Sequence, residues 1–363
     1  MRKLLPFILI VFLFGCAVKN QRAGKYSSET EKLISNLKTT SKAHILFGHQ
    51  DAAAYGVFWK NEADRSDVKS VTGSDPAVYG WDLGHLELGE DKNLDGVPFD
   101  FMKREIVKIY ERGGVNTVSW HLNNPVNDSS AWDTTNYSVR EILSAGPAHE
   151  KYKNHLDHVA GFLNSLKADD GTMVPVIFRP FHEHTGSWFW WGKNFCTPDE
   201  YIALWHFTID YLRKEKKMNH LIIAYSSSDI QSRENYMERY PGDEYVDVIG
   251  FDDYSFDEDG YIARIEKSLT VLCKIAEERN KIPAFTETGA EQLLNPSWYT
   301  KILLPVIDKY PIAYVLVWRN ANNRPNHYYV PYPGHPAEKD FLKFFNSPRM
   351  WFGNDLLDLK LYR

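Results

Sequence analysis

Val174-Pro175-Val176-Ile177-Phe178-Arg179-Pro180-Phe181-His182-Glu183 is the stretch from which the rest of the chain is read. A short apolar run with branched side chains predicts a buried strand, and this one carries Arg179, His182 and Glu183 at its C-terminal end. A second such run, Ile282-Pro283-Ala284-Phe285-Thr286-Glu287, also ends on a glutamate. Working outward, comparable runs occur at 43–47, 77–81, 115–120, 220–225, 246–251 and 313–318. With 173–178 and 283–287 they number eight. Helix-like stretches at 99–112, 149–168, 199–215, 261–280 and 297–309 fall between them. Eight strands with helical crossovers predict an α/β fold of one kind, a closed (β/α)8 TIM barrel. A doubly wound open sheet is disfavoured, because no Gly-x-Gly-x-x-Gly follows the first strand. Pro175 is awkward for a central strand; Pro283, at the start of its run, is easier to accommodate.

The 363 residues hold 11 Trp, 21 Tyr and 20 Phe, more flat aromatic surface than a core needs and suited to stacking on the faces of sugars or bases. A formal charge of -6 without any Lys/Arg-rich block excludes a nucleic-acid backbone as partner. The N-terminus is different material. Arg2 and Lys3 precede an apolar run from Leu4 to Phe14, too short to span a bilayer, which predicts a signal peptide over 1–15. Leu13-Phe14-Gly15-Cys16 resembles a bacterial lipobox, making Cys16 the lipidation site; a plain secretory signal is the alternative. Residues 16–28 then form a lipidated tether, and 29–363 a single domain without an internal linker. The expected product is an exported monomer, anchored by lipid alone to the outer membrane, facing periplasm or medium.

On the barrel reading, Glu183 ends the fourth strand and Glu287 the seventh, so both face one mouth. Two carboxyl groups in one pocket are what glycosidic hydrolysis requires, and their separation decides between retention and inversion. The other reading makes each glutamate a structural partner of an arginine such as Arg179. His121, closing the third strand, offers an imidazole to a sugar hydroxyl or a carboxylate. His182, His184 and Arg179 crowd Glu183 in sequence and would tune its proton affinity. Trp188, Trp190 and Trp191 suggest a stacking surface, Trp318 a floor under one ring, and Tyr254 a hydroxyl to orient a carboxylate.

No metal or organic cofactor is expected. His182-Glu183-His184 lacks the spacing of a zinc-binding His-Glu-x-x-His helix. Asp91-Lys92-Asn93-Leu94-Asp95-Gly96 opens like a calcium loop but has Met102 at the twelfth position, and reads as a surface acidic turn. Asp252-Asp253 has no accompanying ligand pattern, and no Gly-x-Ser-x-Gly elbow exists. Cys196 and Cys273 cannot be paired from sequence. Cys273 shares the apolar phase of Ile265, Leu269, Leu272 and Ala276, which favours a buried free thiol.

Several segments together resemble the family-26 glycoside hydrolases, most of them β-mannanases. They are Phe47-Gly48-His49-Gln50, Trp120-His121-Leu122-Asn123-Asn124-Pro125, Arg179 to Glu183 running into Gly186-Ser187-Trp188-Phe189-Trp190-Trp191-Gly192, Phe285-Thr286-Glu287-Thr288-Gly289, and Trp318-Arg319-Asn320-Ala321. The resemblance covers about residues 40 to 350 and implies a barrel whose acid/base is Glu183 and whose nucleophile is Glu287. It implies further that His121 and Trp188 shape the site beside the cleaved bond. It makes Tyr254 the hydrogen-bond partner of the nucleophile and Trp318 the platform on the non-reducing side. His182 is counted with the substrate-binding residues. The implied substrate is β-1,4-mannan, galactomannan or manno-oligosaccharide. The alternatives are the same machinery on mixed-linkage glucan or xylan, and a glycan-binding lipoprotein without catalysis.

Overall fold

Eight parallel strands form the centre of the molecule: β1 (Ile45–Gln50), β2 (Val78–Asp82), β3 (Val115–Trp120), β4 (Val176–Pro180), β5 (Leu221–Ser227), β6 (Val248–Tyr254), β7 (Ile282–Gly289) and β8 (Tyr314–Val317). Each pairs with the next, and Leu46 to His49 of β1 register with Tyr314 to Val317 of β8, so the sheet closes on itself. The (β/α)8 barrel read from the sequence is the fold. The computed structural model describes residues 25–357 and 359–362. The signal-peptide and Cys16 readings lie outside the described residues. No helix among the described residues is long and apolar enough to cross a membrane.

The strands alternate between two apolar clusters, as side chains on a pleated ribbon must. Leu46, Val78, Val115, Ile177, Ile222, Val248, Ile282 and Tyr314 pack together in the lumen. Their neighbours Phe47, Tyr79, Phe178, Ile223, Ile249, Phe285 and Val315 face the surrounding helices. Leu33 and Leu37 of the helix Ser28–Thr40, with Leu361 and Tyr362 from the far end of the chain, join the lumenal cluster and close its floor. Tyr26 and Ser27, at the end of the stretch read as tether, already bond to Asp247 and to the Asn219 carbonyl. Polar side chains are therefore left for the opposite, C-terminal mouth.

Local signals explain where the elements start and stop. Pro175 sits just outside β4, which begins at Val176, so the fourth strand is shorter than its apolar run. The helix Pro198–Asp210 starts with Thr197 and Glu200 in a reciprocal capping box and proline in its first turn. The helix Glu258–Arg279 is capped by Asp257 and ends on Asn280 in the left-handed region.

Two departures from regular geometry shape the mouth. In β7 the pairing with β6 steps from Phe251↔Phe285 to Asp252↔Glu287, and the pairing with β8 slips at the same place. This bulge inserts one residue. Without it, Thr286 would face the lumen and Glu287 the helices; with it, both face inward. Gly250 makes room, since a Cβ there would come within 2.5 Å of Thr286 Cγ2. After β4, Phe181 (φ 49°) and Glu183 (φ 53°) take left-handed backbone conformations. Such conformations cost about 1–3 kcal/mol each for residues other than glycine. The turn at Phe181 directs its ring into a cluster with Trp190, Trp191, Tyr201 and Trp205, which holds the strained segment in place.

Candidate active site

Arg179 organises the mouth. Its side chain rises from β4 inside the lumen, almost wholly buried, and meets two acids. One Nη donates to Asp252 (2.8 Å) and to Ser226 Oγ (3.0 Å); the other bonds directly to Glu287 Oε1. Glu287 Oε2 accepts from the Tyr254 hydroxyl at 2.8 Å. Donors on both oxygens suit a charged carboxylate.

Glu183 stands across from this pair. Oxygens of Glu183, Asp252 and Glu287 all lie within 4.8 Å of one another. The Glu183 backbone N–H is fixed to the Ser226 carbonyl (3.0 Å), and its carboxyl accepts from Trp188 Nε1 (2.6 Å). Burial, and then the negative charge of Glu287, push Glu183 up to about 7, while Trp188, His121 and Arg179 pull the other way. Burial also drives Asp252 well above the usual carboxylate range against the pull of Arg179, with Glu287 and Glu183 adding to the rise. Three acids this close could ligate a cation, but two of them already share the guanidinium of Arg179.

A chain of imidazoles flanks the acids. His121 Nδ1 lies 2.7 Å from Asp82, and His121 Nε2 lies 3.1 Å from His182 Nε2. Trp132 stacks on His121 from the β3 loop. Beyond them, Arg319 reaches from the end of β8 to Asp95 (2.8 Å) and to the Tyr55 hydroxyl (3.3 Å). That hydroxyl donates to Asp51 (2.6 Å), a buried acid pushed up to about 8 by burial and by Asp95.

The residues expected from sequence fall into three groups. Glu183, Glu287, His121, His182, Trp188 and Tyr254 come together. Trp318 is partly exposed at the end of β8, its backbone N–H bonded to the carbonyl of Thr288, next to Glu287. Trp190 and Trp191 do not form a stacking surface: both are fully buried, their indole N–H groups bonded to the carbonyls of Leu122 and His182. Only Trp188 of the three, 42% exposed, has a face free for a sugar. His184 does not crowd Glu183 either; it is buried between the rings of Tyr201 and Tyr225. The turn around Asp91–Gly96 exposes Asp91, Lys92 and Gly96 as a surface turn would, but directs Asp95 inward to Arg319. Cys196 and Cys273 are free thiols, Cys196 buried and Cys273 partly so.

Asp82 and Asp51 are not singled out by the sequence, and Asp252 and Asp95 enter there only within metal-binding patterns that fail. Asp82 and Asp252 carry the same signal as the two glutamates, an acid at or near the end of an apolar strand. Asp51 lies one residue beyond β1. Asp95 is held in place by loop contacts that no periodicity announces.

The Glycosyl hydrolase family 26 model matches residues 23–329. The chain belongs to glycosyl hydrolase family 26. It is 31% identical over 345 residues to a mannan endo-1,4-beta-mannosidase of Bifidobacterium adolescentis, covering 88% of this chain and 34% of that protein. The chain thus spans about a third of that relative's length. A mannan endo-1,4-beta-mannosidase of Bacillus subtilis (strain 168) is 28% identical, with 86% of this chain and 88% of that protein covered. Among solved structures, a GH26 beta-mannanase from Bacteroides ovatus superposes with a TM-score of 0.91 at 46% identity, over 93% of this chain and 98% of that one. This family-26 chain shares that barrel along almost its whole described length.

Proposed function

We propose that the chain is a retaining glycoside hydrolase that cleaves β-1,4-mannosidic bonds. The observation that carries the reading is the pairing of Glu183 and Glu287, whose carboxyl oxygens lie within 4.8 Å. Retention needs carboxyl groups about 5–5.5 Å apart, whereas inversion needs a wider gap to seat water between acid and base. The substrate follows from the two relatives described above, whose names specify mannan.

Glu287 attacks the anomeric carbon while Glu183 gives its proton to the departing glycosidic oxygen, so that a glycosyl ester forms and the leaving sugar departs neutral. Glu183 then takes a proton from water, which attacks the same carbon and frees Glu287. The two carboxyls need opposite starting states, and their surroundings supply them. Glu183 holds its proton up to about 7, while Glu287 is met by the Arg179 cation and the Tyr254 hydroxyl. The negative charge of Glu287 is one cause of the raised Glu183. Forming the ester removes that charge, which readies Glu183 to act as a base in the second step.

His121, His182, Trp188 and Trp318 are assigned to sugar binding, and the enzyme to action as a monomer. We further assign Cys16 as the lipid anchor of an exported, outer-membrane protein. Incorporation of labelled palmitate that persists in Cys16→Ala would remove that assignment. The function is tested by reducing-sugar release from mannan, mixed-linkage glucan and xylan. Release from mannan alone, nearly abolished in Glu287→Ala with the fold intact, is the expected result. Equal release from glucan or xylan overturns the substrate, and near-normal activity of Glu287→Ala overturns the nucleophile.

A further inference from the structure

We propose that Asp82 is a positioning residue for this reaction, acting through His121 and His182 to keep a positive charge beside the two glutamates. The inference rests on the hydrolase reading above and goes on to a group that touches neither glutamate.

Asp82 ends β2 with its side chain buried in the lumen. Its Oδ1 accepts from the backbone N–H groups of Gly84 (2.7 Å) and His121 (3.3 Å), and its Oδ2 from Ser119 Oγ (2.7 Å). His121 Nδ1 is the fourth group, 2.7 Å from Oδ2. A carboxylate surrounded by donors only accepts, so His121 Nδ1 carries a hydrogen. At the other edge of the ring, the two Nε2 atoms of His121 and His182 are 3.1 Å apart, which requires a proton on one and a bare lone pair on the other.

The surroundings decide which ring holds it. His121 faces Asp82 from β2, Glu183 and His182 from the end of β4, and Glu287 from β7, with Trp132 and Phe189 against its ring. Burial opposes a second proton on His121, but Asp82 and then the glutamates outweigh it and raise its affinity. His182 faces Arg179, His121 and His184, and burial followed by the Arg179 charge drives it far below the ordinary imidazole range. The proton therefore belongs to His121 Nε2, and His182 keeps its single hydrogen on Nδ1. Asp82 thus favours the imidazolium form of His121, whose charge is one of the influences that keep Glu183 from rising further.

Removing the charge of Asp82 should discharge His121 and let Glu183 hold its proton to higher pH. In Asp82→Asn the alkaline limb of kcat/KM is expected to move up by about one pH unit, the scale on which a neighbouring charge shifts a carboxyl. Asp82→Glu, which restores the charge, is expected to return the limb to its wild-type position even if kcat stays low. Nitrogen-15 imidazole spectra of the wild-type protein read the same arrangement without a variant. Both His121 nitrogens are expected to be protonated at pH 7, and His182 to be the Nδ1–H tautomer. An unmoved limb in folded Asp82→Asn, or a bare His121 nitrogen at pH 7, overturns the proposal. Hydrolysis of mannan by the wild-type protein separately decides the function on which it rests.

Discussion

Glu183 and Glu287 bring carboxyl oxygens within 4.8 Å of each other from two different kinds of backbone irregularity. Glu183 follows a left-handed turn after β4, and Glu287 is turned inward by a bulge in β7. Regular strands would have pointed at least Glu287 out of the lumen. The two residues assigned to bond cleavage thus both sit on irregular backbone, as expected where function competes with regular structure.

Arg179 is the test of how the buried charges are held. It is shared by Asp252 and Glu287 in a region closed to solvent. Arg179→Met leaves two buried acids without their cation, and removing one member of such a group costs about 3–5 kcal/mol. Urea unfolding should show a loss of that size at neutral pH, together with near-complete loss of hydrolysis. A variant as stable as the wild type would mean that the acids find other partners.

Tyr254 makes one hydrogen bond to Glu287 and is only partly buried, so its hydroxyl can be removed without opening the core. A hydrogen bond to a charged group is worth about 1.5–3 kcal/mol, which corresponds to roughly 10- to 100-fold in rate. Tyr254→Phe should lower kcat by that factor with little change in unfolding midpoint. Unchanged kcat would remove Tyr254 from the support of the nucleophile.

The pH profile should carry the mark of Glu183. The acid must be protonated for the first step, and burial with the Glu287 charge holds it up to about 7. Activity with mannan should therefore fall as pH rises through about 7. Trp188→Phe removes the donor to Glu183 Oε2, one of the influences lowering its affinity, and should move that fall to higher pH. A fall at the same pH in both proteins would detach Trp188 from the acid.

Replacing Glu183 should raise stability at alkaline pH while removing activity. A carboxyl whose folded pKa is raised contributes stability below its unfolded value of about 4.3, and loses that contribution as pH rises through its folded value. Above pH 7 Glu183 is a partly buried anion facing Glu287. Glu183→Gln should then be more stable than the wild type by about 1–2 kcal/mol, the gain shrinking as pH falls towards 4, while hydrolysis is lost. Thermal or urea unfolding at pH 8 and pH 4 measures the difference.

The barrel was legible because burial on both faces of parallel strands gives short apolar runs, and each of the eight runs overlaps a strand of the sheet. Glu183 and Glu287 were legible as acids closing two such runs. The bulge that turns Glu287 inward was not, since an inserted residue leaves no trace in composition. Trp190 and Trp191 misled for a related reason. A run of adjacent aromatics does not announce which rings face solvent, and only the packing around Phe181 shows that these two serve as scaffold. Asp82 and Asp95 stayed hidden because their partners, His121 and Arg319, lie on other strands and loops and meet them only once the barrel closes.

The central claim is that Glu287 forms a covalent bond to the sugar while Glu183 moves the proton. Incubation with an activated 2-deoxy-2-fluoro mannoside, which slows release of the ester, followed by peptide mass spectrometry, tests it most directly. The account predicts one added fluoromannosyl group, on the β7 peptide at Glu287. An adduct on any other residue, or turnover of β-mannosides to α-configured products, would contradict it.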